Sequence, residues 1–269
     1  MLTDLRMIIV AIAVLVGIAP AVALTRLDLK DAGFHLVPGT SLPADAVLHG
    51  PGGRDTTLGQ TLAKKPALLV FTDYRCQSLC GVILDQLSET LPKVGLTLGQ
   101  DYNVIAVALD AAQTQADAAA FRDTHTKGSL QHAGLFFTND APALQALRAS
   151  VGLVAPFDVE HGQFAHPAGL VLVDARGLAQ RVLSPFALDP LGLKLALTEG
   201  GAAPLSLGAH ALLLCYGWNP VAGVYTLRIE RVMMLAAAAT ILLIALTVAG
   251  FLHRGRRLAR SSLLERPRP

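Results

Sequence analysis

Charged residues and cysteines are both scarce in this sequence, and each shortage excludes some classes of protein. Charged residues make up 16% of the 269 and hydrophobic residues 52%, whereas soluble domains have about 25% charged residues. The formal net charge is only +2, with no long basic stretch in the central region, so we expect no nucleic-acid partner. The three cysteines, Cys76, Cys80 and Cys215, cannot form the even disulfide framework of a small secreted scaffold. We therefore expect the cysteines to have a chemical role rather than to cross-link the chain.

The surplus of apolar residues lies in two runs, one near each end of the chain. The first follows Arg6 and predicts that residues 1–24 are a cleaved signal peptide, with an uncleaved N-terminal anchor as the alternative. The second, 232–252, carries no charge and is about 30 Å long as a helix, which is enough to cross a bilayer. The tail 253–269 is rich in arginine, and basic residues accumulate on the cytoplasmic side of a membrane span. The C-terminus is therefore expected in the cytoplasm and the rest of the chain outside it.

Between these runs, strand-like and helix-like patterns alternate, which predicts an α/β domain with a mixed central sheet. The expected strands are 67–72, 103–109, 135–137, 169–173 and 178–183, the expected helices are 82–91, 113–123 and 141–149, and the expected hairpins are 48–58 and 157–164. We expect the domain to cover 25–205 and a juxtamembrane segment to cover 206–231.

The motif Cys76-Gln77-Ser78-Leu79-Cys80 follows the predicted strand 67–72 and opens a predicted helix. Ligands usually bind at strand ends of open α/β sheets, and a helix N-terminus favours a thiolate over a thiol. The spacing lets both sulfurs reach one soft ion such as Cu(I) or Zn(II), and it also allows a disulfide. A thioredoxin-type oxidoreductase would have two residues between its cysteines. Two buried structural cysteines are the remaining alternative.

Two sulfurs leave a metal under-coordinated, so a further ligand is expected from elsewhere in the chain. His166 precedes the predicted strand 169–173, and in thioredoxin-like folds the loop before that strand faces the cysteine loop. Its imidazole is therefore the leading third ligand. His161 is a weaker alternative, and the other histidines are expected to be surface or hydrogen-bonded side chains. Asp110, at the end of the second predicted strand, is expected either to tune the site or to cap a helix.

The chain resembles the Sco/SenC family of copper-binding cytochrome oxidase assembly proteins. The resemblance is carried by 71–87 (FTDYRCQSLCGVILDQL), 104–110 (VIAVALD) and 162–177 (GQFAHPAGLVLVDARG). A weaker match at 215–229 (CYGWNPVAGVYTLRI) is similar to a bacterial branch with a C-terminal transmembrane anchor.

This resemblance implies a thioredoxin-like fold and copper held by Cys76, Cys80 and His166, with Asp110 as the neighbouring acidic residue. It also implies delivery of copper to, or reduction of, the dinuclear copper site of cytochrome c oxidase. Cu(I) is favoured by the soft sulfurs, and Cu(II) is also compatible. The partner would be the copper subunit of the oxidase or another copper chaperone, and the location the bacterial inner membrane with the main domain in the periplasm.

The sequence departs from the family pattern at Gln77, Gly81 and Ala111, where family members often have proline. The three ligands are retained. Cys215 lies in an apolar stretch beside the predicted membrane span and is expected to be a small buried hydrophobic residue.

Four hypotheses remain open from the sequence, and a metallochaperone is favoured over an enzyme. The alternatives are a metal-independent thiol–disulfide oxidoreductase, a peroxidase-like enzyme that attacks hydroperoxides with one cysteine, and a copper or redox sensor.

Overall fold

The structure is a computed structural model that describes residues 32–76, 80–132, 134–159, 162–202, 213 and 216–264. The chain forms two compact units, Met1–Pro204 and Leu205–Pro269. The predicted signal peptide 1–24, His161 and Cys215 lie outside the described residues, so those predictions and the domain boundaries stay predictions.

The first unit consists of short strands and helices around a central sheet. In chain order the elements are β1 (Gly33–Phe34), β2 (Thr40–Ser41), β3 (Val47–His49), β4 (Asp55–Thr57), α1 (Leu58–Leu62), β5 (Ala67–Thr72), α2 (Val82–Thr90), β6 (Asn103–Ala108), α3 (Gln115–His125), β7 (Gly134–Phe136), α4 (Ala141–Ser150), β8 (Leu153–Val154), β9 (Phe157–Asp158), β10 (Gln163–Phe164), β11 (Leu170–Val173), β12 (Leu178–Leu183) and α5 (Pro190–Glu199). Short 3-10 helices lie at Pro51–Gly53, Leu91–Lys93, Gly128–His132 and Pro185–Ala187.

Six strands form one mixed sheet in the order β2-β12-β11-β5-β6-β7. β5, β6 and β7 run parallel, and β11 pairs antiparallel with both β5 and β12. A parallel βαβαβ unit followed by an antiparallel hairpin and a helix is the thioredoxin-like arrangement, so the predicted fold class is confirmed. All residues of β5 are buried, as its continuous apolar run predicts for a strand covered on both faces.

Helix boundaries follow the capping residues. Asp140 caps α4, and its carboxylate accepts a backbone N–H of the first turn at 3.1 Å. α3 begins two residues later than predicted, because Thr114 is the N-cap and forms a capping box with Asp117. Gln113 therefore precedes the helix, and its side chain is buried.

Helix α5 is an element that the sequence pattern did not predict. Leu193, Leu195, Ala196 and Leu197 are all buried, so the segment lacks the wide polar face whose spacing would indicate a helix. Asp189 caps its N-terminus.

The second unit contains the antiparallel strands β13 (Tyr216–Asn219) and β14 (Val224–Leu227), followed by the helix α6 (Ile229–Leu264). The part Ile229–Gly250 is long and apolar enough to cross a membrane. The helix extends beyond the predicted span 232–252 into the basic tail, where arginine and leucine are good helix formers.

Candidate metal and disulfide site

The cysteine pair lies at the carboxyl end of β5, directly before α2. Cys76 and Cys80 form a disulfide, with Cα atoms 6.0 Å apart. α2 begins at Val82, so the predicted position between a strand end and a helix start is confirmed. The structure thus shows the oxidised pair, in which neither sulfur is a thiolate.

A buried hydrogen-bond network fixes the residues between β5 and Cys76. The carboxylate of Asp73 accepts the backbone N–H of Arg75 at 2.9 Å and a hydrogen bond from the side-chain amide of Gln113. The amide oxygen of Gln113 accepts the backbone N–H of Tyr74 at 3.1 Å. The N–H of Cys76 donates to the Asp73 carbonyl at 3.2 Å. One glutamine from the next strand-to-helix connection therefore holds the cysteine loop in place.

Tyr74 anchors the same loop from inside the protein. Its hydroxyl donates to the carbonyl oxygens of Phe136 at 2.8 Å and Ala106 at 3.0 Å, and its ring packs against Phe121 with centroids 5.2 Å apart. Burial raises the pKa of Tyr74 well above its usual range, so the hydroxyl stays protonated. These contacts tie the loop to β6, β7 and α3.

Arg75 directs its positive charge toward α3. Its guanidinium donates to the carboxylate of Asp117 at 3.0 Å and to the carbonyl of Ala112 at 2.7 Å. The hydrogen bond from Arg75 to Asp117 is the main reason why the pKa of Asp117 is lowered to about 2, and hydrogen bonds from Thr114 lower this pKa further.

Asp117→Asn is expected to lower stability near neutral pH but not in strong acid. The pKa of Asp117 falls from 3.8 to about 2 on folding, so its contribution is fully present above about pH 4 and is lost as the pH falls through about 2. The expected effect is below about 1 kcal/mol, because the ion pair is partly exposed. Urea unfolding of both proteins at about pH 6 and about pH 1.5 measures it, and an equal difference at the two pH values would contradict the assignment.

His166 lies half-buried on the connection between β10 and β11. Its Nδ1 is 3.2 Å from the Pro167 carbonyl oxygen, and a proton on Nδ1 makes this contact a hydrogen bond and leaves the lone pair of Nε2 for a metal. Burial lowers the pKa of His166, while the Pro167 carbonyl and the Asp73 carboxylate oppose that shift. The imidazole is therefore neutral at neutral pH, which is the form that binds metals.

Gln163 brings the His166 connection to the cysteine pair. Its Oε1 lies 3.5 Å from the Cys76 Sγ. Within the described residues, no three His, Cys, Asp or Glu side chains form a group that could hold a metal ion, and the sulfurs of a disulfide have no thiolate to offer. Convergence of Cys76, Cys80 and His166 on one ion therefore stays a prediction, and the Gln163 contact supports it.

Asp110 lies at the carboxyl end of β6, at the same edge of the sheet as the cysteine loop. Its Oδ1 accepts the N–H of Ala112 at 2.9 Å, so it stabilises the turn before α3, whose N-cap is Thr114. The pKa of Arg75 is raised mainly by the hydrogen bond to Asp117, and the charge of Asp110 contributes. Tuning of the metal site by Asp110 stays a prediction.

Solved structures match the fold of this chain. A candidate electron transfer protein from Aquifex aeolicus is 21% identical, with 61% of this chain and 95% of that chain covered and a TM-score of 0.56. A candidate electron transport protein from the same organism is 21% identical, with 62% and 100% covered and a TM-score of 0.53. Arabidopsis thaliana ScoI with copper bound is 13% identical, with 61% and 98% covered and a TM-score of 0.49. No family model matches the chain, and no curated protein matches it significantly in sequence.

The chain has a thioredoxin-like fold. Sequence identities of 13–21% show a similar fold but no shared function. The thioredoxin-like fold that the sequence resemblance implies is therefore confirmed.

One departure from the Sco/SenC sequence pattern has a structural cause. A Cβ at Gly81, directly after Cys80, would collide with the imidazole of His125. His125 is hydrogen-bonded, as expected, with Nδ1 3.0 Å from Asp85 Oδ2, and its ring packs against Phe121 with centroids 4.6 Å apart. The ring occupies the space that a proline at position 81 would need. His125 thus links the start of α2 to the end of α3.

A cavity of about 650 Å³ opens beside Cys76. Its lining includes Arg75, Asp117, Phe121 and His125. The Cys76 side of the disulfide is therefore accessible to a group that enters this cavity.

Proposed function

We propose that the chain is a membrane-anchored copper chaperone that holds copper with Cys76, Cys80 and His166. It would serve the assembly of the dinuclear copper site of cytochrome c oxidase. The contact between Gln163 and Cys76 carries the proposal, because it puts the His166 connection beside the cysteine pair. The resemblance of the segments 71–87 and 162–177 to the Sco/SenC family supports the same function.

The residues fit a soft monovalent copper ion. Reduction of the disulfide by a partner dithiol takes two electrons and two protons and gives two thiols, while the partner becomes a disulfide. Cys76 and Cys80 then lose their protons to bind copper as thiolates, and the neutral His166 supplies Nε2 as a third ligand. Copper leaves by ligand exchange when a partner's cysteines replace these ligands one at a time.

The membrane arrangement is part of the proposal. The helix α6 is long and apolar enough to anchor the chain, and the basic tail 253–269 favours a cytoplasmic C-terminus. The main domain would then face the periplasm from the bacterial inner membrane. There it could meet the copper subunit of the oxidase or another copper chaperone.

Copper analysis of the full chain in detergent micelles tests the ligand set. The reduced protein is loaded with Cu(I), challenged with a competing chelator and desalted. The wild type is expected to retain one copper per chain, and the Cys76→Ser/Cys80→Ser variant to retain almost none. His166→Ala is expected to weaken binding by about tenfold or more, the loss of one metal–ligand bond.

His49→Ala is the matched control for the histidine, because the ring of His49 already pairs with Asp55, with Nδ1 and Oδ1 2.6 Å apart. It should retain copper like the wild type. One tightly held copper in the Cys76→Ser/Cys80→Ser variant would overturn the proposal.

The observed disulfide favours a second function, metal-independent thiol–disulfide exchange. The reduction potential of the Cys76–Cys80 pair, measured with and without Cu(I), separates the two functions. Copper that binds only the dithiol stabilises the reduced state and raises the potential. A potential that does not respond to copper would favour the oxidoreductase.

A further inference from the structure

A second cavity, of about 660 Å³, lies against α4, and its lining residues do not include the proposed copper ligands. Its walls are largely apolar and include Leu109, Leu144, Leu153 and Phe164. Arg148 and Asp110 also line it. Mostly apolar cavities of this size with one or two polar groups are the usual form of small-molecule sites.

Arg148 is the unusual group in this cavity. Its Nη2 donates to the Ala155 carbonyl at 3.0 Å, but its Nε is buried and has no hydrogen-bond partner. Over the described part of the chain, no carboxylate forms an ion pair with it. Burial lowers the pKa of Arg148. A half-buried guanidinium in this condition gains from an anion placed beside it.

The other walls restrict the kind of anion. Phe164 lies under the guanidinium, with 5.9 Å between the guanidinium carbon and the ring centroid, and the leucines offer an apolar surface. Asp110 adds a negative charge to the lining, and this charge repels a doubly charged anion such as phosphate about twice as strongly as a singly charged one. The site therefore suits one negative charge attached to an apolar body.

We propose that this cavity binds an organic monocarboxylate, with its carboxylate on Arg148 and its apolar body against Phe164 and the leucines. The planar guanidinium can hold a carboxylate through two parallel hydrogen bonds. This site is separate from the copper ligands and does not depend on the proposed copper function. Phe164 is two residues before His166, so an occupant would lie behind the connection that carries the imidazole.

Calorimetric titration of the full chain in detergent micelles tests the site, with the heat of empty micelles subtracted. The probes are benzoate, the neutral and nearly isosteric benzamide, and inorganic phosphate. Benzoate is expected to bind at one site per chain, and benzamide and phosphate at least about tenfold more weakly, because each lacks either the charge or the apolar body. Arg148→Met keeps the length of the side chain and is expected to weaken benzoate binding by about tenfold or more.

Two further variants keep the test independent of any loss of folding in Arg148→Met. Ala149→Phe leaves Arg148 in place but fills the cavity from an exposed position of α4, and it should also abolish benzoate binding. Arg122→Met removes an arginine that lines a different cavity, and it should bind benzoate like the wild type. Equal binding of benzoate and benzamide, or benzoate binding unchanged in Arg148→Met and Ala149→Phe, would overturn the proposal.

Discussion

Gln113→Leu is expected to lower the free energy of unfolding of the extramembrane domain by about 3 kcal/mol. The glutamine donates to the buried carboxylate of Asp73 and accepts the N–H of Tyr74. Leucine is similar in volume but satisfies neither group, so a buried charge loses a partner and a backbone donor loses its acceptor. A hydrogen bond to a charged group contributes about 1.5–3 kcal/mol, and an unsatisfied buried group costs about 1–3 kcal/mol.

Pulse proteolysis of the full chain in increasing urea measures this loss, because cleavage reports the unfolded fraction of the domain. Gln131→Leu is the matched control, since Gln131 is an exposed glutamine of the same unit; its effect should stay within about 0.5 kcal/mol. If Gln113→Leu were as stable as that control, the network around Asp73 would not hold the cysteine loop.

The centre of the sheet could be predicted closely from the sequence because β5, β6 and β11 are buried on both faces. The predicted strands 67–72 and 178–183 have the observed bounds, β6 and β11 each differ from prediction by one residue at one end, and β7 is shifted by one residue at both ends. Burial also explains why α5 was not predicted, because its leucines are enclosed on several sides. Periodicity reports a boundary between apolar and polar surroundings, so it cannot detect a helix that has little polar surface.

The candidate site could be predicted only in part. Cys76 and Cys80 form a local motif, and their position between β5 and α2 follows from the patterns on either side. Gln113 and Arg148 could not be found in this way, since their importance depends on partners that are distant in sequence, such as Asp73 and Phe164. One available signal for Gln113 was its position just after a buried strand, at the sheet edge that carries the cysteine loop.

The cysteine loop and the His166 connection thus have different kinds of support. The loop is held by the hydrogen bond from the Tyr74 N–H to Gln113 and by the hydrogen bond from the Tyr74 hydroxyl to Phe136 of β7, whereas Gln163 contacts Cys76 at 3.5 Å. The His166 connection is also held by the hydrogen bond from the Ala165 N–H to the Pro156 carbonyl at 2.8 Å. In the copper function proposed above, the cysteine loop would supply the two sulfur ligands and the separate connection would supply the imidazole.

Gly81→Ala is expected to destabilise the domain by about 2 kcal/mol, because the new methyl group would collide with the ring of His125 and overpacking costs about 1–3 kcal/mol. His125→Ala removes the obstacle, so the Gly81→Ala/His125→Ala variant should be at least about 1 kcal/mol more stable than the sum of the single effects predicts. The same urea and proteolysis measurement is made on the wild type, the two single variants and the double variant.

His49→Ala is the control partner, because His49 pairs with Asp55 on the next strand, and its effect should add to that of Gly81→Ala. Additivity with His125→Ala as well would show that the imidazole does not exclude a side chain at position 81, and the explanation for the missing proline after Cys80 would be wrong.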